Sequence, residues 1–98
     1  MEPWRALIKR IIETVCFHEE LDPTQSPVDF RFLVKNETRC ALEIAVHGPR
    51  RMRATAVWSW SDTKIYYYDS SGKRWKEDPI EAGIVAPPNL PEIWGKHE

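Results

Sequence analysis

Glycine is scarce in this chain. Only four occur, at positions 48, 72, 83 and 95, and each stands alone, so no glycine-rich loop exists to cradle a phosphate. Cysteine is scarcer: two in 98 residues exclude a disulfide framework. Cys16 and Cys40 both fall on apolar faces in the pattern below, where reduced, buried thiols are expected. Cys16-Phe17-His18-Glu19 collects ligand-type side chains, but they are adjacent rather than one turn apart, and no second cluster completes a site. No metal, cofactor or small-molecule ligand is therefore predicted. His47, beside Gly48-Pro49, is a general base in principle, yet no nucleophile or carboxylate has a spacing that singles it out. The chain is predicted not to be an enzyme. An uninterrupted apolar run is also lacking, and the N-terminus has no basic leader region. Neither a signal peptide nor a membrane span is expected, which predicts a cytoplasmic setting and leaves the sequon Asn36-Glu37-Thr38 inert.

Aromatic residues, by contrast, are plentiful. Five tryptophans and three tyrosines include three of each in the stretch AVWSWSDTKIYYYDSSGKRW, Ala56 to Trp75. An apolar share of 42% with 30% charged residues is that of an ordinary globule of one domain, residues 1–98. Net charge is −1, but it is unevenly spread. Residues 1–29 carry three basic and six acidic side chains, residues 30–76 ten and four, and residues 77–98 one and five. A basic middle between acidic ends calls for an acidic partner, and the chain's own ends come first.

Hydrophobic spacing divides the chain into three parts. Trp4, Leu7, Ile8, Ile11, Ile12 and Val15 recur at three- and four-residue steps, predicting an amphipathic helix within residues 1–21 that ends near Glu20, before Leu21-Asp22-Pro23. Pro3 suits its first turn. From residue 30 to 77 the period is two. Five alternating runs are separated by short turn signals at Asn36-Glu37, Gly48-Pro49, Asp62-Thr63 and Ser70-Ser71-Gly72, which predicts an antiparallel meander of about five strands. Residues 78–98 hold four prolines and cannot continue a central strand. They also hold Ile80, Ile84, Val85, Leu90, Ile93 and Trp94, too many apolar groups for a solvated tail. The predicted fold class is α+β: an N-terminal amphipathic helix on an antiparallel sheet, with a Pro-rich packing tail.

Alternation assigns Phe30, Phe32, Val34, Leu42, Ile44, Trp58, Trp60, Ile65, Tyr67 and Trp75 to the helix side. Leu33, Ala41, Ala45, Val57, Tyr66 and Tyr68 then form the outer face, rimmed by Arg31, Arg39, Arg51, Arg53 and Lys64. A face half apolar and basic at its rim is covered either by the C-terminal tail or by another molecule, and the tail is expected first because its acidic charge matches that rim. Arg50, Arg51 and Arg53, together with Val57, Tyr66 and Tyr68, are the predicted partner-binding residues. Tyrosine offers rigid contact area and arginine a bidentate fork. The function expected is a small interaction protein (subunit, inhibitor or adaptor) that binds a protein partner or a second copy of itself. A nucleic-acid-binding module using the same surface is the alternative; a pI near 6.3 weighs against it. The run IYYYDSSGKRWKEDP, Ile65 to Pro79, locally resembles the aromatic strand, turn and late Trp of a WW domain. Its Tyr68-to-Trp75 interval is shorter than in that family and its Trp-to-Pro spacing longer. What the likeness implies is an aromatic groove for polyproline, which the chain's own APPNLP segment could fill.

Overall fold

The computed structural model describes residues 2–95. Helix α1 spans Pro3–Glu19, and strands β1 (Val28–Lys35), β2 (Thr38–His47), β3 (Arg53–Ser59), β4 (Lys64–Tyr68) and β5 (Arg74–Pro79) follow. A short helix α2, Leu90–Gly95, closes the chain. The strands form one antiparallel sheet in the order β1-β2-β3-β4-β5. This is the predicted α+β meander.

Local chemistry sets the element ends. Glu20 takes a left-handed conformation (φ 59°) at the end of α1, and Leu21 N–H returns to Cys16 O at 2.8 Å, a Schellman-type close that a helix needs to satisfy its last carbonyls. Asn36 and Glu37 both have positive φ (53° and 63°), as a two-residue hairpin requires to match strand twist. At the β4–β5 turn, one oxygen of Asp69 accepts from Ser71 N–H, Ser71 Oγ and Lys73 N–H. These bonds hold the Asp69 carboxyl below its usual range.

The core lies between α1 and the sheet. Ile8, Ile11 and Val15 of α1 are fully buried with Leu42, Ile44, Val46, Trp58, Ile65 and Tyr67 of the sheet. Burial of each large side chain is worth about 1.5–3 kcal/mol. Trp58 Nε1 and Tyr67 OH are buried without a hydrogen-bond partner among the described residues. The core therefore holds these rings chiefly by their buried area.

Three expectations need correction. The C-terminal segment does not lie over the outer face of the sheet. It joins the helix side, where Leu90 is fully buried, Ala86 nearly so, and Ile80, Ile84, Ile93 and Trp94 pack against the same core. The reason is geometric: α1 rests on β2 and β3, so the apolar side chains of β1 would stay bare without it. Trp94 meets Phe30 edge-on at 5.8 Å, and Arg5 of α1 lies over Trp94 at 5.7 Å. Residues 96–98 of the predicted tail lie outside the described residues, as does Met1. Second, a register shift between Leu33 and Val34 changes the end of the β1–β2 hairpin. Arg39 comes to the helix side, its guanidinium 4.8 Å from the Phe32 ring, while Val34 is left 61% exposed. A bulge moves everything beyond it by one residue, which strict alternation cannot anticipate. Third, Arg51 lies not in a strand but with Arg50 in a 3-10 turn, Pro49–Arg51.

Candidate functional site

The six predicted site residues fall into two groups. Val57, Tyr66, Tyr68 and Arg53 share the outer face, because Val57 pairs with Tyr66 and Thr55 with Tyr68 across β3 and β4, and directly paired residues point the same way. Arg50 and Arg51 sit at the end of the sheet in the β2–β3 turn, with φ 60° and 62°. Left-handed backbone at a non-glycine residue costs about 1–2 kcal/mol, and here the closing Gly48 N–H to Met52 O bond (2.9 Å) holds the turn. Gly48 packs closely against the tips of two flexible side chains. A β-carbon there would lie 2.6 Å from Met52 Cε and 2.9 Å from Leu21 Cδ2.

Cross-strand rows organise the charges of this face. One row runs Arg31, Glu43, Val57, Tyr66, Glu77. Glu43, with only 16% of its side chain exposed, takes Arg31 at 3.3 Å and Arg53 at 3.1 Å on the same oxygen. Arg53 reaches it from four rungs along the β2–β3 ladder, on the same face. At the other end Glu77 receives Lys64 at 3.6 Å and Arg74 at 3.0 Å.

Both tyrosines are tied into this network. Tyr66 donates its hydroxyl hydrogen to Asp62 at 3.0 Å, and that bond pushes its pKa up. The guanidinium of Arg74 lies 4.6 Å from the Tyr66 ring and 5.4 Å from the Tyr68 ring. It also donates to Tyr68 OH at 3.0 Å. The hydrogen bonds to Tyr68 and Glu77 raise the Arg74 pKa, so it is a fixed cation. Arg50 and Arg51, in contrast, make no ion pair among the described residues.

Sequence reasoning missed Arg74, the residue that organises the tyrosines; the signal available was its place in the strand facing β4. It also missed the partner of His47. Asp29, 18 residues earlier, meets His47 Nε2 at 2.7 Å, because Asp29 pairs with Ala45 and His47 follows two residues later on the same face. No hydroxyl or thiol among the described residues bonds the imidazole, whose partner is the Asp29 carboxylate.

The WW-like groove does not form. Trp75 turns to the helix side, where His18 stacks on it with ring centres 3.6 Å apart, and the APPNLP segment packs on the core through Ala86 and Leu90 instead. Beside that stack, a shallow cavity of about 690 Å³ runs between α1 and β5, with Phe17 87% exposed at its border. Comparison of the chain with known protein families, curated proteins and solved structures finds no match.

Among the described residues, no group of three or more His, Cys, Asp or Glu is arranged to hold a metal ion. No helix is long and apolar enough to cross a membrane.

Proposed function

We propose that this is a small, non-enzymatic, cytoplasmic interaction protein that binds a protein partner, or a second copy of itself, through the outer face of its sheet. One observation carries the reading. Both covering elements, α1 and the described part of the C-terminal segment, pack on the same side, so among the described residues nothing covers the other face of the five-stranded sheet. At its centre Tyr66, Tyr68 and Val57 are half buried and held rigid by Arg74, Asp62 and the strand register. Rigid aromatic area loses little entropy on contact. Arg50 and Arg51 supply unpaired positive charge at one end, which suits a partner with acidic groups there.

The nucleic-acid reading is weaker on the same geometry. Arg74 already occupies the tyrosine rings and is satisfied by Tyr68 and Glu77, so a base stacking there must first displace it. Both readings meet one experiment. The purified chain, the Tyr66→Ser/Tyr68→Ser variant and a Val85→Ser control are used to capture partners from the native host, with and without nuclease. The expected result is a protein retained by wild type and control, lost with the double variant, and indifferent to nuclease. Equal retention by all three chains refutes the outer face as the binding surface. A nuclease-sensitive species whose binding weakens steeply with salt favours the alternative.

A further inference from the structure

The two edges of the sheet are built differently. β5 is short, interrupted by a register shift, and ends Lys76-Glu77-Asp78-Pro79; charges and a proline are what guard an edge against pairing. β1 is eight residues long, carries no proline, and runs regularly from Val28 to Leu33.

Its free backbone groups can be identified. His47 N–H donates to Pro27 O at 2.9 Å, which fixes the phase of the β1–β2 ladder. Residues 29, 31 and 33 then bond to β2, and Val28, Phe30 and Phe32 direct N–H and C=O outward. The next ladder agrees, since Gly48 N–H to Met52 O makes Val46, Ile44 and Leu42, the neighbours of Val28, Phe30 and Phe32, bond to β3. No backbone or side-chain group among the described residues bonds the outward groups of Val28, Phe30 or Phe32.

We infer that β1 pairs antiparallel with β1 of a second copy about a two-fold axis at Phe30, joining the two sheets edge to edge. Charge selects both the occupant and the register. Centred on Phe30, Asp29 stands opposite the other copy's Arg31, and Arg31 opposite its Asp29, on the outer face. Both side chains are available, 77% and 70% exposed. Each keeps its existing contact, Asp29 through one oxygen to His47 and Arg31 through one nitrogen to Glu43. A shift of one residue in either direction along the axis puts Asp29 on Asp29 or Arg31 on Arg31, and like charges directly opposed destabilise. Centring on Phe32 sets Val28 opposite Asn36, where the chain has already entered the β1–β2 turn (φ 53°). On the helix side the same register sets Phe30 on Phe30 and Val28 on Phe32, apolar rows that are half buried in one copy. About six backbone hydrogen bonds close the contact. It is an isologous interface, the commonest kind. It uses the edge rather than the tyrosine face, so it stands whether or not that face binds a partner.

A charge swap tests it. Sedimentation equilibrium of the wild-type chain over a range of concentrations is expected to show a monomer–dimer equilibrium. Asp29→Arg and Arg31→Asp, each alone, oppose like charges and should weaken self-association at least about tenfold. Mixed one to one, the two variants again oppose unlike charges at both positions and should recover a heterodimer near wild-type affinity. Hydrogen exchange on the unmodified chain provides a readout that needs no variant: protection of the Phe30 and Phe32 amides should rise with protein concentration. A chain that stays monomeric at every concentration overturns the proposal. So does a dimer indifferent to both variants, a mixture that fails to recover, or edge amides whose exchange ignores concentration.

Discussion

The two sides of one strand hold their aromatic rings by opposite means. In β4, Ile65 and Tyr67 face α1 and are fully buried, while Tyr66 and Tyr68 face outward at half burial. Tyr67 has area and no hydrogen bond for its hydroxyl. Tyr66 and Tyr68 have hydrogen bonds, to Asp62 and from Arg74, and little area. The inner side is thus stabilised chiefly by exclusion of water. The outer side is a lattice of ion pairs, most of them exposed and worth about 0–1 kcal/mol each, with Glu43 largely sheltered between Arg31 and Arg53. A surface that is ordered but contributes little stability is free to be used for binding.

The largest expected difference comes from exchanging rings on the two sides. Trp58→Ala should destabilise by about 3–5 kcal/mol, read from the urea midpoint. Tyr66→Ser/Tyr68→Ser should cost about 1 kcal/mol. If the double outer variant unfolds the chain as readily as Trp58→Ala, the outer face is a second core and the contrast fails. Next in size is the C-terminal segment. Leu90→Ala should cost about 2–5 kcal/mol, whereas Val85→Ala, in the same segment but 52% exposed, should lie within about 0.5 kcal/mol of wild type. Equal, small effects would detach the segment from the core. Glu43→Ala should cost about 1 kcal/mol at low salt by freeing Arg31 and Arg53, and the loss should shrink as salt is added; an effect independent of salt would make Glu43 a packing residue.

The smallest effect is spectroscopic. Both Tyr66 and Tyr67 ionise above the ordinary value of 10.0, Tyr66 chiefly through its bond to Asp62 and Tyr67 chiefly through burial. Asp62→Ala should bring Tyr66 down and leave Tyr67 where it is, as followed by phenolate absorbance. For stability the sign follows from which state releases the proton first. The unfolded chain gives up the Tyr67 proton near pH 10 while the folded chain retains it, so this contribution is complete below pH 10 and is lost as pH rises through the folded value. A Tyr67 phenol that ionises before the alkaline unfolding transition would show that the ring is not buried.

Much of the inner side was legible because burial leaves a periodic trace. Steps of three and four from Trp4 to Val15 mark the buried stripe of α1, and alternation in β2 to β4 separates Trp58 and Tyr67 from Val57, Tyr66 and Tyr68. The outer side was legible only as a set of residues. Its ties join positions far apart in the chain, such as Asp29 with His47, and they depend on register, which spacing does not supply. Arg39 illustrates the limit: a single bulge carried it from the predicted rim to the Phe32 ring.

What the sequence by itself determined is therefore local and periodic: one amphipathic helix, a meander of hairpins closed by short turns, and two chemically distinct sheet faces. These follow from steric preference and side-chain period, which act over a few residues. Which face the C-terminal segment covers was a decision of the tertiary structure. Its acidic charge matched the outer rim, but its isoleucines, Leu90 and Trp94 matched the apolar side chains that α1 leaves bare over β1. Each buried apolar side chain is worth about 1.5–3 kcal/mol and each exposed ion pair at most about 1, so area prevailed over charge, and among the described residues no element covers the tyrosine face.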